Sequence, residues 1–190
     1  MWQTLLELDN DLFSYLNSSQ LAQYKRFWII ATSIETWIPL YLLFFYLLYN
    51  KYSAPFNILA MASMAALAAC TLLLTNFVKN NVQRLRPNND PFLTDTINIL
   101  QEPRNYSFWS GHAAVSFAVT VFVFSLLYNR DKHKMYLLFF TWPLIFAFSR
   151  IINGVHFPSD VIVGTAAGTV IGFIAYRLLI SLKNKLPHKT

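Results

Sequence analysis

Three short stretches carry side chains suited to holding and transforming an anion. In KNNVQRLRP, Lys79 and Arg86 stand seven positions apart, ahead of Pro87. On a continuing helix they would lie two turns apart on one stripe, a compact ammonium beside a planar guanidinium fork that matches phosphate. In RNYSFWSGHAAVSF, Ser110, Gly111 and His112 open an apolar run. A helix start offers unpartnered N–H groups to an anion, glycine permits close approach, and His112 can give or take a proton. In SRIINGVHFPSD, Arg150 adds a third cation, and His156 and Asp160 are four apart. If that turn is helical, the carboxylate fixes the imidazole tautomer and leaves the other nitrogen as a nucleophile. Each stretch has a plain alternative: juxtamembrane basic residues, a capped helix start with a spectator histidine, and a structural hydrogen bond.

The elements that must position these residues are apolar. Of 190 residues, 55% are hydrophobic and 13% charged, against about a quarter charged in soluble domains. Such a chain belongs to the membrane class and is read as one domain over 1–190, all-α, an integral-membrane helical bundle. About five runs approach the roughly 20 residues needed to span a bilayer: 27–49, 55–78, 111–129, 135–152 and 161–182. Glu35 and Pro39 flaw the first, which reads as two helical pieces. Leu5, Leu6, Leu8, Leu12, Phe13 and Leu16 recur at near-helical spacing among acids. They predict an amphipathic helix within 1–24, lying on the membrane surface or packed against the bundle. The early acids argue against a cleavable signal peptide. The single Cys70 excludes an intrachain disulfide or a cysteine metal site.

Loop charge sets the orientation. With alternating spans, Lys51, Arg130, Lys132, Lys134, Lys183, Lys185 and Lys189 share one face with one acid, Asp131. That face, including a basic tail over 183–190, is expected to be cytoplasmic. The three reactive stretches then share the opposite, extracytoplasmic face. Ionisable residues at membrane depth are costly and mark functional sites.

These residues carry a resemblance. KxxxxxxRP, SGH and SRxxxxxHxxxD, in this order across 79–160, resemble the three signature motifs of the type 2 phosphatidic acid phosphatase superfamily. Ten of the eleven usual motif residues are present; Trp109 stands where proline is usual. The resemblance implies a lipid phosphate phosphatase that uses neither metal nor cofactor. His156 would be the nucleophile, oriented by Asp160, and His112 the proton donor and later the base. Lys79, Arg86, Arg150, Ser110 and Gly111 would hold the phosphate. The site would work on the extracytoplasmic face of a bacterial inner membrane, on a lipid substrate and with no nucleic-acid partner. Undecaprenyl diphosphate is the leading substrate; phosphatidylglycerol phosphate, phosphatidic acid and lipid A phosphates are alternatives. A non-enzymatic lipid-binding or transport protein is the rival of another class, and it would not need both histidines and Asp160.

Overall fold

The apolar runs fold as helices, and the computed structural model, which describes residues 2–185, has no strand among them. The elements are α1 (Trp2–Asn17), α2 (Lys25–Ala31), α3 (Ile38–Lys51), α4 (Ala54–Val82), α5 (Gly111–Asp131), α6 (Thr141–Ile152) and α7 (Pro158–Lys185). Among the described residues four spans are long and apolar enough to cross a membrane: Ala54–Asn89, Gly111–Asp131, Lys134–Ile152 and Pro158–Lys183. A fifth forms from Lys25–Ala31 and Glu35–Lys51, bent by 70° at the break between them. The flaw read at Glu35 is thus a real break, where the chain passes through a short 3-10 turn, Glu35–Trp37.

Local sequence sets the helix ends. Pro55 occupies the first turn of α4, where a missing N–H costs nothing. Gln83, in the left-handed conformation at φ 52°, terminates α4 and donates its N–H to the Lys79 carbonyl at 2.9 Å. The chain therefore leaves the helix before Arg86, which is extended ahead of Pro87 as a pre-proline residue should be. The continuing helix considered for Lys79 and Arg86 does not form, and the loop's path brings them together instead. Ser110 caps α5, accepting from the Ala113 N–H.

α5 is the axis of the bundle, with Phe122, Val123, Leu126 and Leu127 fully buried. α7 lies closest to it. Gly164, Gly168 and Gly172 recur every fourth residue, and a Cβ at each would stand 2.6, 2.1 and 2.3 Å from the carbonyl oxygens of Ser110, Ala114 and Ala118. Lipid tails are as apolar as leucine, so spans associate through close van der Waals contact, which glycine permits.

α1 packs one face on the bundle. Phe13 is fully buried edge-on to Phe157, with centroids 5.4 Å apart. The buried Asn17 amide donates to the carbonyls of Asn98, Ile151 and Ile152. Leu5, Leu8 and Leu12 face outward. At the other end of the bundle Lys51 pairs with Asp131 at 2.6 Å, and the Lys183 ammonium lies 5.4 Å from the Tyr52 ring. Residues 186–190 of the expected basic tail, with Lys189, lie outside the described residues.

Candidate active site

The end of α4, the start of α5, the end of α6 and the start of α7 meet at one end of the bundle, and each delivers part of a cluster. Lys79, Arg86, Gly111, His112, Arg150 and His156 all line a single cavity of about 700 Å³. Its remaining wall is largely apolar and runs down α4 from Leu72 to Met61, with Val115, Val119, Trp142 and Phe146 opposite. Polar chemistry sits at the mouth of a hydrocarbon-lined groove.

His156 is buried, 1% exposed, in the short link between α6 and α7. Its Nδ1 lies 3.3 Å from Asp160 Oδ2, because α7 starts at Pro158 and places Asp160 in the first helical turn. Its Nε2 lies 3.0 Å from Arg86 Nη1. Because a guanidinium only donates, Nε2 accepts from Arg86 at the cavity wall, which puts the ring proton on Nδ1, donating to the carboxylate; a phosphate that takes over the Arg86 fork would free the Nε2 lone pair. Burial, then the charges of Arg86, Lys79, Arg150 and Arg84, hold this imidazole well below the usual histidine range. The neutral form, the one able to act as a nucleophile, is thereby favoured.

The cations are anchored through polar groups, without a carboxylate partner of their own among the described residues. Lys79 Nζ donates to the carbonyls of Tyr106 at 2.7 Å and Ser107 at 3.2 Å. Arg86 is clamped by the Asn105 carbonyl, the Asn105 side chain and the Val155 carbonyl. Arg150 Nη1 donates to Thr32 Oγ1 at 2.5 Å and Gln101 Oε1 at 2.7 Å. Its buried Nε has no partner among the described residues. Three cations within one small volume repel each other, an arrangement that a bound polyanion relieves.

The His112 ring rests on Phe146, with centroids 4.9 Å apart, and opens on the same cavity as His156. Gly111 is also on the wall, and a Cβ there would come within 3.3 Å of Thr75 Cγ2. Packing against α4 thus explains glycine at this position alongside any approach by a ligand. Ser110 is fully buried and spends its hydroxyl on the cap; it does not reach the cavity wall. Trp109 donates its indole N–H to Thr75 Oγ1 at 2.9 Å, so a side-chain bond ties the turn to α4.

Several neighbours escape the sequence reading. Arg84, in the same basic stretch as Lys79 and Arg86, donates from Nη1 to Asp160 Oδ1 at 2.9 Å and from Nη2 to Asp9 Oδ2 at 2.7 Å. Its guanidinium also stacks 3.9 Å from the Phe157 ring centroid. Ser107 donates its hydroxyl to Asp160 Oδ2. Thr32, Gln101 and Asn105 are the polar anchors of the cations. A third basic residue among Lys79–Pro87 was the one available signal.

A helical membrane protein with a histidine–carboxylate pair, a second histidine and three cations at a span end is built to process an anionic headgroup. The PAP2 superfamily model matches residues 57–182, and the chain belongs to this family of phosphatases. It is 26% identical to the lipid A 4'-phosphatase of Porphyromonas gingivalis over 189 residues, covering 95% of this chain and 77% of that one. It is 28% identical to the undecaprenyl-diphosphatase of Sulfolobus acidocaldarius over 171 residues, covering 88% and 77%. The crystal structure of a transmembrane PAP2-type phosphatidylglycerolphosphate phosphatase from Bacillus subtilis superposes with TM-score 0.69 at 19% identity, covering 98% and 90%. That of Aquifex aeolicus LpxE gives 0.59 at 27% identity, covering 90% and 95%. The chain is a phosphoric monoester hydrolase of the PAP2 type, an integral-membrane enzyme acting on a lipid phosphate.

Proposed function

We propose that this enzyme removes phosphate from the headgroup of an anionic lipid through a phosphohistidine intermediate, without a metal ion. His156 Nε2 attacks phosphorus as the P–O bond to the lipid breaks, and His112 gives its proton to the departing oxygen. Water then attacks the phosphohistidine, His112 takes its proton, and the P–N electrons return to Nε2. Lys79, Arg86 and Arg150 hold the non-bridging oxygens, with the Arg150 Nε as one donor and the Gly111 N–H as another. Phosphoryl transfer needs mainly positioning and charge stabilisation, which such a cradle supplies. Asp160 fixes the His156 tautomer and offsets the positive charge that the imidazole gains. The observation that carries this reading is the convergence of both histidines and all three cations on one cavity whose other wall is apolar.

The glycolipid phosphate of lipid A is the substrate class we favour. Two lipid A 4'-phosphatases match over 95% and 98% of this chain. Undecaprenyl diphosphate is the second reading, supported by the Sulfolobus acidocaldarius relative. The charge of the face bearing Lys51, Lys132 and Lys183 supports a cytoplasmic placement for it, and hence an extracytoplasmic active site in the inner membrane. The test is phosphate release from lipid A, undecaprenyl diphosphate, phosphatidylglycerol phosphate and phosphatidic acid in detergent with EDTA. Full activity in EDTA and preference for lipid A are expected; loss of activity on chelation would end the metal-free mechanism. A ³²P label on His156, trapped in alkali because the P–N bond is acid-labile, should be absent from His156→Gln.

A further inference from the structure

Asp160 Oδ2 is shared among the Ser107 hydroxyl, the Phe157 N–H at 3.0 Å and His156 Nδ1 at 3.3 Å. Among the described residues its other oxygen is held by Arg84 alone, and Arg84 is in turn held by Asp9 of α1. Asp9 also accepts from the Ser159 N–H at 2.8 Å and the Ser159 hydroxyl at 2.5 Å, while Ser159 Oγ accepts from Arg84 Nη1 at 2.7 Å. α1, the stretch after α4 and the first turn of α7 are thereby tied into one carboxylate–guanidinium–carboxylate chain ending at the His156 partner. Both ends are sheltered: the Asp9 side chain is 10% exposed and that of Asp160 fully buried.

We propose that Asp9 and Arg84 are positioning residues for the phosphatase reaction, Arg84 fixing the rotation of the Asp160 carboxylate and Asp9 balancing the Arg84 charge. The inference rests on His156 being the nucleophile. Its logic is electrostatic. As Nε2 bonds to phosphorus the imidazole becomes cationic, and Asp160 must bear a negative charge to stabilise it. A guanidinium paired with Asp160 alone would cancel much of that charge; shared with Asp9, it cancels less while still fixing the geometry. The other titratable groups facing Asp160 are His156 from its own connecting segment and Lys79 and Arg86 from the end of α4 and the loop after it. All three serve the phosphate or the attack on the proposed mechanism, so Arg84 with Asp9 is the charged pair left to orient the carboxylate, beside the neutral Ser107 and Phe157 donors on its other oxygen.

Arg84→Gln frees the Asp160 carboxylate to turn, and kcat should fall by about 10–10²-fold with KM within about threefold. In Asp9→Asn, Arg84 acts wholly on Asp160, which then stabilises the imidazolium less, and kcat should fall by about 10-fold with KM again within about threefold. Because Asp9 acts through Arg84, the two losses should not multiply, and the double variant should be little slower than Arg84→Gln alone. Arg84→Lys should rescue kcat in part, and Glu7→Gln, an exposed acid on the same helix, should change nothing. Rates are measured on the full-length enzyme in detergent with the preferred lipid phosphate, beside alkaline-trapped ³²P labelling. An unchanged kcat in either single variant, a loss confined to KM, or losses that multiply in the double variant would overturn the proposal. Should Arg84→Gln not accumulate, the Asp9→Asn result decides: an unchanged kcat refutes the proposal. A label surviving in His156→Gln would instead remove the nucleophile assignment, a separate failure.

Discussion

Replacing Gly168 with valine tests whether the site depends on the α5–α7 contact. A Cβ at Gly168 would stand 2.1 Å from the Ala114 carbonyl oxygen and 2.9 Å from Ala114 Cα, where ordinary contact begins at 3.4 Å. These are backbone atoms of a helix and cannot swing aside, so the two helices must part by more than an ångström. Overpacking of this kind typically costs about 1–3 kcal/mol. The catalytic effect should be larger than the stability effect. α5 carries Gly111 and His112 at its start, and α7 carries Asp160 and orders the segment holding His156. A displacement of about 1 Å between reacting groups can cost about 10²-fold in rate. The assay pairs thermal melting in detergent with phosphate release. Gly168→Val is expected to melt several degrees lower and to lose most of its kcat, and Gly168→Ala less of both. Ala166→Val, on the exposed face of the same helix, should do neither. A Gly168→Val enzyme with unaltered melting and turnover would refute the claim that glycine sets the spacing of the two halves of the site.

Gly111→Ala should slow the enzyme severalfold, because its Cβ presses on Thr75 Cγ2 at 3.3 Å; adding Thr75→Ser removes that methyl, keeps the hydroxyl for Trp109, and should restore the rate. Asp160→Asn should lower kcat by about 10²–10⁴-fold with little change in KM, since it loses both tautomer control and charge; an equal loss in KM alone would show a binding role. Because folding holds His156 neutral below the ordinary histidine range, the unfolded chain binds the extra proton as pH falls through about 6.5. This group's contribution is therefore neutral above that pH and destabilising below it. The melting temperature should drop on acidification less steeply in His156→Gln, and the ¹⁵N signals of His156 in the unliganded enzyme should show no titration near pH 6.5. Thr32→Val removes an acceptor from Arg150; a KM for lipid phosphate raised severalfold is expected, with the melting point nearly unchanged.

Much of this was open to reading because the information is local. Hydropathy is a property of a run of residues, so the spans could be placed, and the bend near Glu35 announced itself through a charge and a proline. The chemistry-bearing residues were legible as types at fixed spacing. The geometry joining them was not. Lys79 and Arg86 were considered as neighbours on one helix, yet they converge through the loop that follows Gln83. Asp9 looked like one acid on an amphipathic helix, and Arg84 like one cation of a basic stretch. Their meeting at Asp160 joins residues 75 and 76 positions apart, a relation no window contains. The Gly164, Gly168, Gly172 spacing was present in the sequence, but its value depends on which helix lies across it.

Asp9 meets Ser159 across 150 positions, and Asn17 binds the carbonyls of Ile151 and Ile152. α1 precedes all of these partners in the chain, so during synthesis Asn17 waits for the end of α6 and Asp9 for Ser159 at the start of α7. Asp160, the carboxylate beside His156, arrives with the same helix. On the proposed mechanism a nascent chain carries the Lys79, Arg86 and Arg150 cations before it has an oriented His156, and hydrolysis would begin only once α7 has been inserted and α1 has closed against it.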